Sequence, residues 1–204
     1  MFPFYFITDP LFKEAFPLEA VIRAIAGGAR LIQYRDKIST RRVMYENAKR
    51  LREVTAQVGV TLIINDQIDL AIAVRADGVH LGQGDLPIQA ARKMMGTAAI
   101  VGISTHTLEE AMRAKQEGAD YIGFGPIFKT ETKGDANFPT GIAMITQISQ
   151  SVNIPVIAVG GIKRTDLPAI FAAGATGVAV ISAVSGDIES NVREWIKTIC
   201  SLTP

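Results

Sequence analysis

Gly118-Ala119-Asp120-Tyr121-Ile122-Gly123-Phe124-Gly125-Pro126 contains the unit from which the whole chain is built. A glycine able to take the left-handed conformation closes a helix, a short link turns the chain, and a β-branched and aromatic run begins a strand. The same punctuation recurs at Gly28-Ala29-Arg30, Arg75-Ala76-Asp77-Gly78 and Gly174-Ala175-Thr176, each time ahead of a strand-like run. Working outward, the candidate strands are 5–9, 31–35, 61–66, 78–82, 100–105, 121–126, 155–161 and 177–183, which makes eight. Amphipathic stretches separate them at 18–26, 40–58, 68–74, 88–95, 107–117, 141–151, 167–173 and 188–199. Strands alternating with helices imply parallel pairing through right-handed crossovers. Eight evenly spaced units favour closure, so the expected fold class is α/β, a (β/α)8 TIM barrel. An open doubly wound sheet is the alternative that periodicity leaves standing.

The 204 residues fall short of the roughly 250 typical of such barrels, so insertions must be few. No shift of composition and no Pro/Gly/Ser linker divides the chain, and residues 1–204 are expected to form one domain. Lys plus Arg (21) balance Asp plus Glu (20), which leaves no global field for nucleic acid or an anionic membrane. Any anion site must therefore be local. The lone Cys200 has no partner for a disulfide and argues against thiolate zinc; it fits a reducing compartment. No apolar run approaches the roughly 18 residues of a membrane span, and the first segment lacks the pattern of a secretory signal, so the cytoplasm is the expected location. A homo-oligomer is left open.

In a barrel, residues at the C-terminal ends of the strands and on the following loops form the active site. The polar residues of this chain concentrate there. Asp66 and Asp85 follow the third and fourth strands, which are neighbours, so their carboxylates could converge on one hard cation such as Mg2+. The competing reading makes each an N-cap of the next helix. Arg35 and Lys37 after the second strand, with Lys133 after the sixth, place cations where a diphosphate would sit, although surface charges have the same composition. Thr130-Glu131-Thr132-Lys133 lies in a loop around 129–140 long enough to act as a lid. Gly160-Gly161 and Ile181-Ser182 follow the last two strands, where barrels present backbone amides to phosphate. Two anion sites are thus expected, one cationic and one built of amides. His80 and His106 are the only histidines, and neither is assigned chemistry.

The ordered run of these motifs resembles the thiamine phosphate synthase (thiamine-phosphate diphosphorylase) family over almost the whole chain. It includes Tyr5-Phe6-Ile7-Thr8-Asp9, Gln33-Tyr34-Arg35-Asp36-Lys37, Ile64-Asn65-Asp66, His80-Leu81-Gly82-Gln83 with Asp85, and Gly102-Ile103-Ser104. It continues through Gly125-Pro126-Ile127-Phe128, Thr130-Glu131-Thr132-Lys133, Val159-Gly160-Gly161-Ile162 and Ile181-Ser182-Ala183. The resemblance implies a barrel enzyme, a transferase that joins a hydroxymethylpyrimidine diphosphate to a thiazole phosphate and releases diphosphate. By position it implies that Gln33, Tyr34, Arg35, Asp36, Lys37, Asn65, Ser104 and Lys133 hold the pyrimidine diphosphate, with Arg35, Lys37 and Lys133 catalytic. It likewise implies that Thr130, Glu131, Thr132, Gly161, Ile181 and Ser182 bind the thiazole phosphate and that Asp66 and Asp85 bind Mg2+. One departure stands out: the family commonly has an Asn shortly after Gly160-Gly161-Ile162, where this chain has Lys163-Arg164-Thr165.

Three other readings compete. A tautomerase of the same fold relies on a His after the sixth strand, and 125–141 contains none. A non-catalytic sensor of a thiamine precursor would need fewer of these residues. An isomerase or aldolase of phosphorylated sugars would need a base or Schiff-base Lys at a strand end.

Overall fold

Strands β1 (Phe4–Ile7), β2 (Leu31–Tyr34), β3 (Thr61–Asn65) and β4 (Gly78–Leu81) alternate with helices α1 (Leu18–Ala26), α2 (Arg41–Gln57), α3 (Ile68–Val74) and α4 (Ile88–Met95). The second half repeats this with β5 (Ile100–Thr105), α5 (Leu108–Gln116), β6 (Tyr121–Phe124), α6 (Ile142–Ser151), β7 (Val156–Val159), α7 (Leu167–Ala172), β8 (Gly177–Val180) and α8 (Ile188–Leu202). These come from a computed structural model, which describes residues 3–10, 17–130 and 139–202. All eight strands pair in parallel in sequence order, and β1 pairs with β8 as well as β2, Phe4 lying opposite Val178 and Phe6 opposite Ile32. The sheet is closed, so the (β/α)8 barrel holds and the open doubly wound alternative falls.

The period-2 alternation of each strand divides the apolar residues into two cores. Phe6, Ile32, Leu62, Ile64 and Val79 face outward against the helices, whereas Tyr5, Leu31, Ile63, Tyr121 and Ile157 fill the barrel interior. Each such fully buried side chain contributes about 1.5–3 kcal/mol relative to exposure. Small residues make space where the interior is crowded: a Cβ on Gly102 would lie 2.1 Å from Tyr121 Cζ.

Helix boundaries follow the expected ones closely, α1, α3 and α4 without change. Except for β5, which ends at Thr105 as expected, the strands stop one to three residues earlier than expected at their C-terminal ends, because the loop-forming residues leave extended geometry there. Asp66 has φ 61°, Gly160 φ 97° and Gly161 φ 65°. The helix-closing glycines Gly28, Gly118 and Gly174 do take positive φ, but at the end of α3 the left-handed residue is Arg75, with φ 53°. Gly78 in that motif has another reason to be glycine, since a Cβ there would sit 2.1 Å from the Ile100 carbonyl oxygen.

The third residue of the punctuation carries a second duty that holds the N-terminal end of the barrel. Leu62 N–H donates to Asp77 Oδ2 (2.7 Å), Val101 N–H to Asp120 Oδ2 (2.7 Å) and Val156 N–H to Thr176 Oγ1 (2.6 Å). Arg52 of α2 and Arg92 of α4 add ion pairs to the two aspartates at 2.7 and 2.6 Å. Among the described residues no helix is long and apolar enough to cross a membrane.

Candidate active site

The loops at the C-terminal ends of the strands surround a cavity of about 1220 Å3. Arg35, Lys37, Asn65, Asp66, Asp85 and Ser104 line one half, from β2 to β5; Thr130, Gly161, Ile181 and Ser182 line the other, from β6 to β8. Glu131, Thr132 and Lys133, and most of the expected lid, lie outside the described residues.

Alternation along β2 sorts the Gln33-to-Lys37 run. Arg35 is buried yet reaches the cavity, its guanidinium donating to the buried Asp9 carboxylate. Thr8 holds the same strand end, accepting from Arg35 N–H at 3.0 Å. Tyr34 points the opposite way, into the outer core, and its hydroxyl donates to Asp36 Oδ2 at 3.1 Å. The other Asp36 oxygen accepts from Ile38 and Ser39 N–H, both at 3.0 Å, which folds the loop entering α2. Burial pushes the Asp36 carboxyl up, but the Ser39 and Ile38 amides outweigh it and hold the group below the usual carboxylate range. Neither Tyr34 nor Asp36 lines the cavity, since alternation along the strand turns them away from the face that carries Arg35. Gln33 does face the interior, one layer below the cavity floor, and its amide nitrogen donates to the Tyr5 hydroxyl.

Asp66 and Asp85 come together as their strand order suggests. The helix-cap reading fails for both: the N-caps of α3 and α4 are Gln67 and Pro87. Asp85 instead accepts from Gly82 N–H at 2.7 Å, and Lys37 Nζ donates to Asp66 Oδ2. Burial first, and then the neighbouring Asp66 carboxylate, push the Asp85 carboxyl up, against the opposing pull of Gly82 N–H and Lys37. Two crowded carboxylates form an arrangement that a divalent cation relieves. Among the described residues no group of three or more His, Cys, Asp or Glu is placed to hold a metal. An ion here would therefore draw two protein oxygens from this pair and complete its shell with phosphate oxygens and water, a donor set that suits Mg2+.

In the other half, positive φ at Gly160 and Gly161 turns the β7 loop tightly across Pro126 and Phe128, where a Cβ on either glycine would come within 2.8 Å of those residues. A short 3-10 turn, Ser182–Val184, follows β8 after Ile181, and Ile181, Ser182 and Ala183 line the same space. In the Lys163-Arg164-Thr165 segment, Lys163 N–H donates to Asp166 Oδ2 at 2.8 Å, which closes the turn entering α7.

Residues given no binding role from the sequence also line the cavity: Gln83, His106, Lys129 and Lys163. Their position after strand ends was legible; their orientation was not. His106 Nδ1 bonds the Gly125 carbonyl and its own N–H donates to Glu110 Oε2 at 2.7 Å, so this ring is fixed to the loop.

Residues 4–184 match the family model described as thiamine monophosphate synthase. The chain is 44% identical over 202 residues to the thiamine-phosphate synthase of Chloroflexus aurantiacus, covering 98% of this chain and 93% of that one. It is 47% identical over 186 residues to the thiamine-phosphate synthase of Halalkalibacterium halodurans, covering 91% and 88%. Among solved structures it is similar to a thiamine phosphate pyrophosphorylase from Pyrococcus furiosus, with TM-score 0.89, 38% identity, and coverage of 98% and 96%. Closed barrel, split cavity and sequence similarity agree, and the chain belongs to the thiamine monophosphate synthase family.

Proposed function

We propose that the chain is a transferase that condenses 4-amino-2-methyl-5-(diphosphooxymethyl)pyrimidine with thiazole phosphate, forming thiamine phosphate and diphosphate. The observation that carries this reading is the division of one cavity into a cation-and-carboxylate half and an amide half, which suits two differently phosphorylated substrates meeting end to end. Arg35 and Lys37 hold the diphosphate, with Asn65 and Ser104 toward the pyrimidine; Gly161, Ile181, Ser182 and Thr130 receive the thiazole phosphate. Asp66 and Asp85 would hold Mg2+, which would supply neutralising charge to the diphosphate.

The bond from the pyrimidine methylene to diphosphate breaks as the electron-rich aminopyrimidine carries the developing positive charge, and the thiazole nitrogen then bonds to that carbon. Negative charge accumulates on the leaving oxygen, where Arg35, oriented by Asp9, and Lys37 stabilise it. Little proton transfer is required. The remaining work is alignment of two rings, and a rigid strand-end site provides it. A cytoplasmic location belongs to the same proposal. Purified protein incubated with both substrates and Mg2+ should form thiamine phosphate and diphosphate in equal amounts; folded protein that forms neither would overturn the assignment.

A further inference from the structure

Beneath the cavity floor, five side chains form one continuous hydrogen-bonded chain across the barrel interior. Gln33 Nε2 meets Tyr5 Oη at 2.9 Å, Tyr5 Oη meets Tyr121 Oη at 2.9 Å, and Tyr121 Oη meets His80 Nδ1 at 2.9 Å. His80 Nε2 then meets Ser104 Oγ at 2.9 Å. Gln33, Tyr5, Tyr121 and His80 are all at most 6% exposed. The backbone makes room for them: Tyr121 occupies the space a Cβ on Gly102 would take, and a Cβ on Gly123 would lie 3.1 Å from His80 Cε1. Both tyrosines are pushed well above the usual phenol range by burial, so each brings a single proton to the chain.

Counting protons gives the chain a direction. An amide nitrogen only donates, so Tyr5 Oη accepts from Gln33 and gives its one proton to Tyr121. Tyr121 therefore gives its proton to His80 Nδ1, which must be the unprotonated ring nitrogen. The imidazole proton then sits on Nε2 and is donated to Ser104 Oγ. That leaves the Ser104 proton for an acceptor in the cavity which Ser104 lines. A doubly protonated imidazole would leave the Tyr121 proton without an acceptor, and a buried unmade bond of this kind is costly.

We infer that Tyr5, Tyr121 and His80 are positioning residues that fix the polarity of the pyrimidine subsite, making Ser104 a hydrogen-bond donor into the cavity it lines. The match to a substrate rests on the proposed function: an aminopyrimidine offers a ring nitrogen that accepts, the complement of a Ser104 hydroxyl held as a donor. With the chain reversed, the Ser104 proton would be spent on His80 and that ring nitrogen would be left without a donor. Chemistry at the methylene is untouched, so the chain governs ring binding and alignment rather than departure of the diphosphate.

Two measurements separate this inference from the reaction itself. In protein labelled with 15N-histidine, long-range 1H–15N correlation should show His80 Nδ1 as the unprotonated, pyridine-like nitrogen and Nε2 as the protonated one, the two histidines being told apart with His106→Gln. A His80 ring protonated at Nδ1 overturns the inference, whatever the activity. In Tyr121→Phe, the KM for the pyrimidine diphosphate should rise on the order of tenfold, the cost of one net hydrogen bond, with the KM for thiazole phosphate unchanged. Equal changes in both KM values, or none, would reduce the tyrosine to a packing role and overturn the inference. Tyr5→Phe provides the same KM test if Tyr121→Phe does not fold, and should leave the His80 tautomer in place. Wild-type protein with the stated tautomer but no thiamine phosphate synthesis would reject the proposed function while leaving the polarity standing.

Discussion

At the N-terminal end of the barrel, Asp77 and Asp120 each sit between a strand amide and an arginine, so every negative charge has a partner. At the C-terminal end, Asp66 and Asp85 face each other, with Lys37 reaching only one of them. The residue type is the same and the electrostatic outcome is opposite. One end satisfies its carboxylates internally and stabilises the closed sheet. The other holds them crowded, so that the attraction they can offer is directed at something entering from outside. Stored mutual repulsion is how a site gains differential affinity for a cation, and a barrel can tolerate it because the opposite end bears the burden of stability.

The sharpest way to break this contrast is Asp85→Asn, which keeps an oxygen for Gly82 N–H and removes only the charge. Turnover should fall on the order of 100-fold or more, since a group that helps neutralise the leaving diphosphate is lost. Thermal stability at neutral pH should hold or rise. The sign follows from linkage: a carboxyl whose folded pKa is raised destabilises the fold above that pKa and ceases to do so as pH falls through it. Unchanged turnover would remove Asp85 from the site, and a marked drop in melting temperature would place it among the structural carboxylates.

Asp120→Ala should do the reverse. Val101 N–H and Arg92 both lose their acceptor, at a cost of about 1–3 kcal/mol by denaturant titration, while kcat and both KM values stay as they were. Thr176→Val, which removes the equivalent acceptor from Val156 N–H without disturbing any charge, should give a stability loss of about 1 kcal/mol. A fall in activity from either variant would mean that the two ends are coupled and that the division drawn between them is wrong.

How much of this was legible in the sequence follows the same division. Strand number, order and closure were readable because each punctuation unit is local: a left-handed cap and a β-branched run are properties of a few consecutive residues. The pairing of Asp66 with Asp85 was readable too, because adjacent parallel strands end side by side. Tyr34 and Asp36 stand away from the cavity lining because a contiguous motif is not a contiguous surface, and period-2 alternation sends Tyr34 outward. His80 was named without a role for the opposite reason. Its partners are Tyr121 and Ser104, 41 and 24 residues away, and no local pattern specifies such contacts. The third-residue acceptors Asp77, Asp120 and Thr176 were visible as a repeat, but their bond to the preceding strand is a consequence of closure.

Asp36 lies at the functional end yet behaves like the structural aspartates, which makes it a finer test of the contrast. Asp36→Ala should destabilise by about 1 kcal/mol, as loss of a side-chain cap usually does. Because the folded Asp36 pKa is lowered, its contribution is present above the ordinary carboxylate range and lost as pH falls through the folded value. The gap in melting temperature between wild type and variant should thus be widest near neutrality and close below roughly pH 3.9. A gap that persists in acid would show that the loop is held by packing rather than by the carboxylate.

The smallest effect concerns the ion pairs themselves. A double-mutant cycle on Arg92 and Asp120 should return a coupling at the upper end of about 0.2–1 kcal/mol, since the Arg92 side chain is only 22% exposed and also donates to the Gly118 carbonyl. The same cycle on Arg193 and Glu189 of α8, exposed at 60% and 42%, should fall at the lower end and vanish in high salt. Equal couplings would mean that Arg92 contributes through charge alone. The expected inequality assigns most of its effect to geometry: a planar guanidinium holding a helix end, a loop carbonyl and a strand-capping carboxylate in one place, which is what the closed N-terminal end requires and the open site at the other end does without.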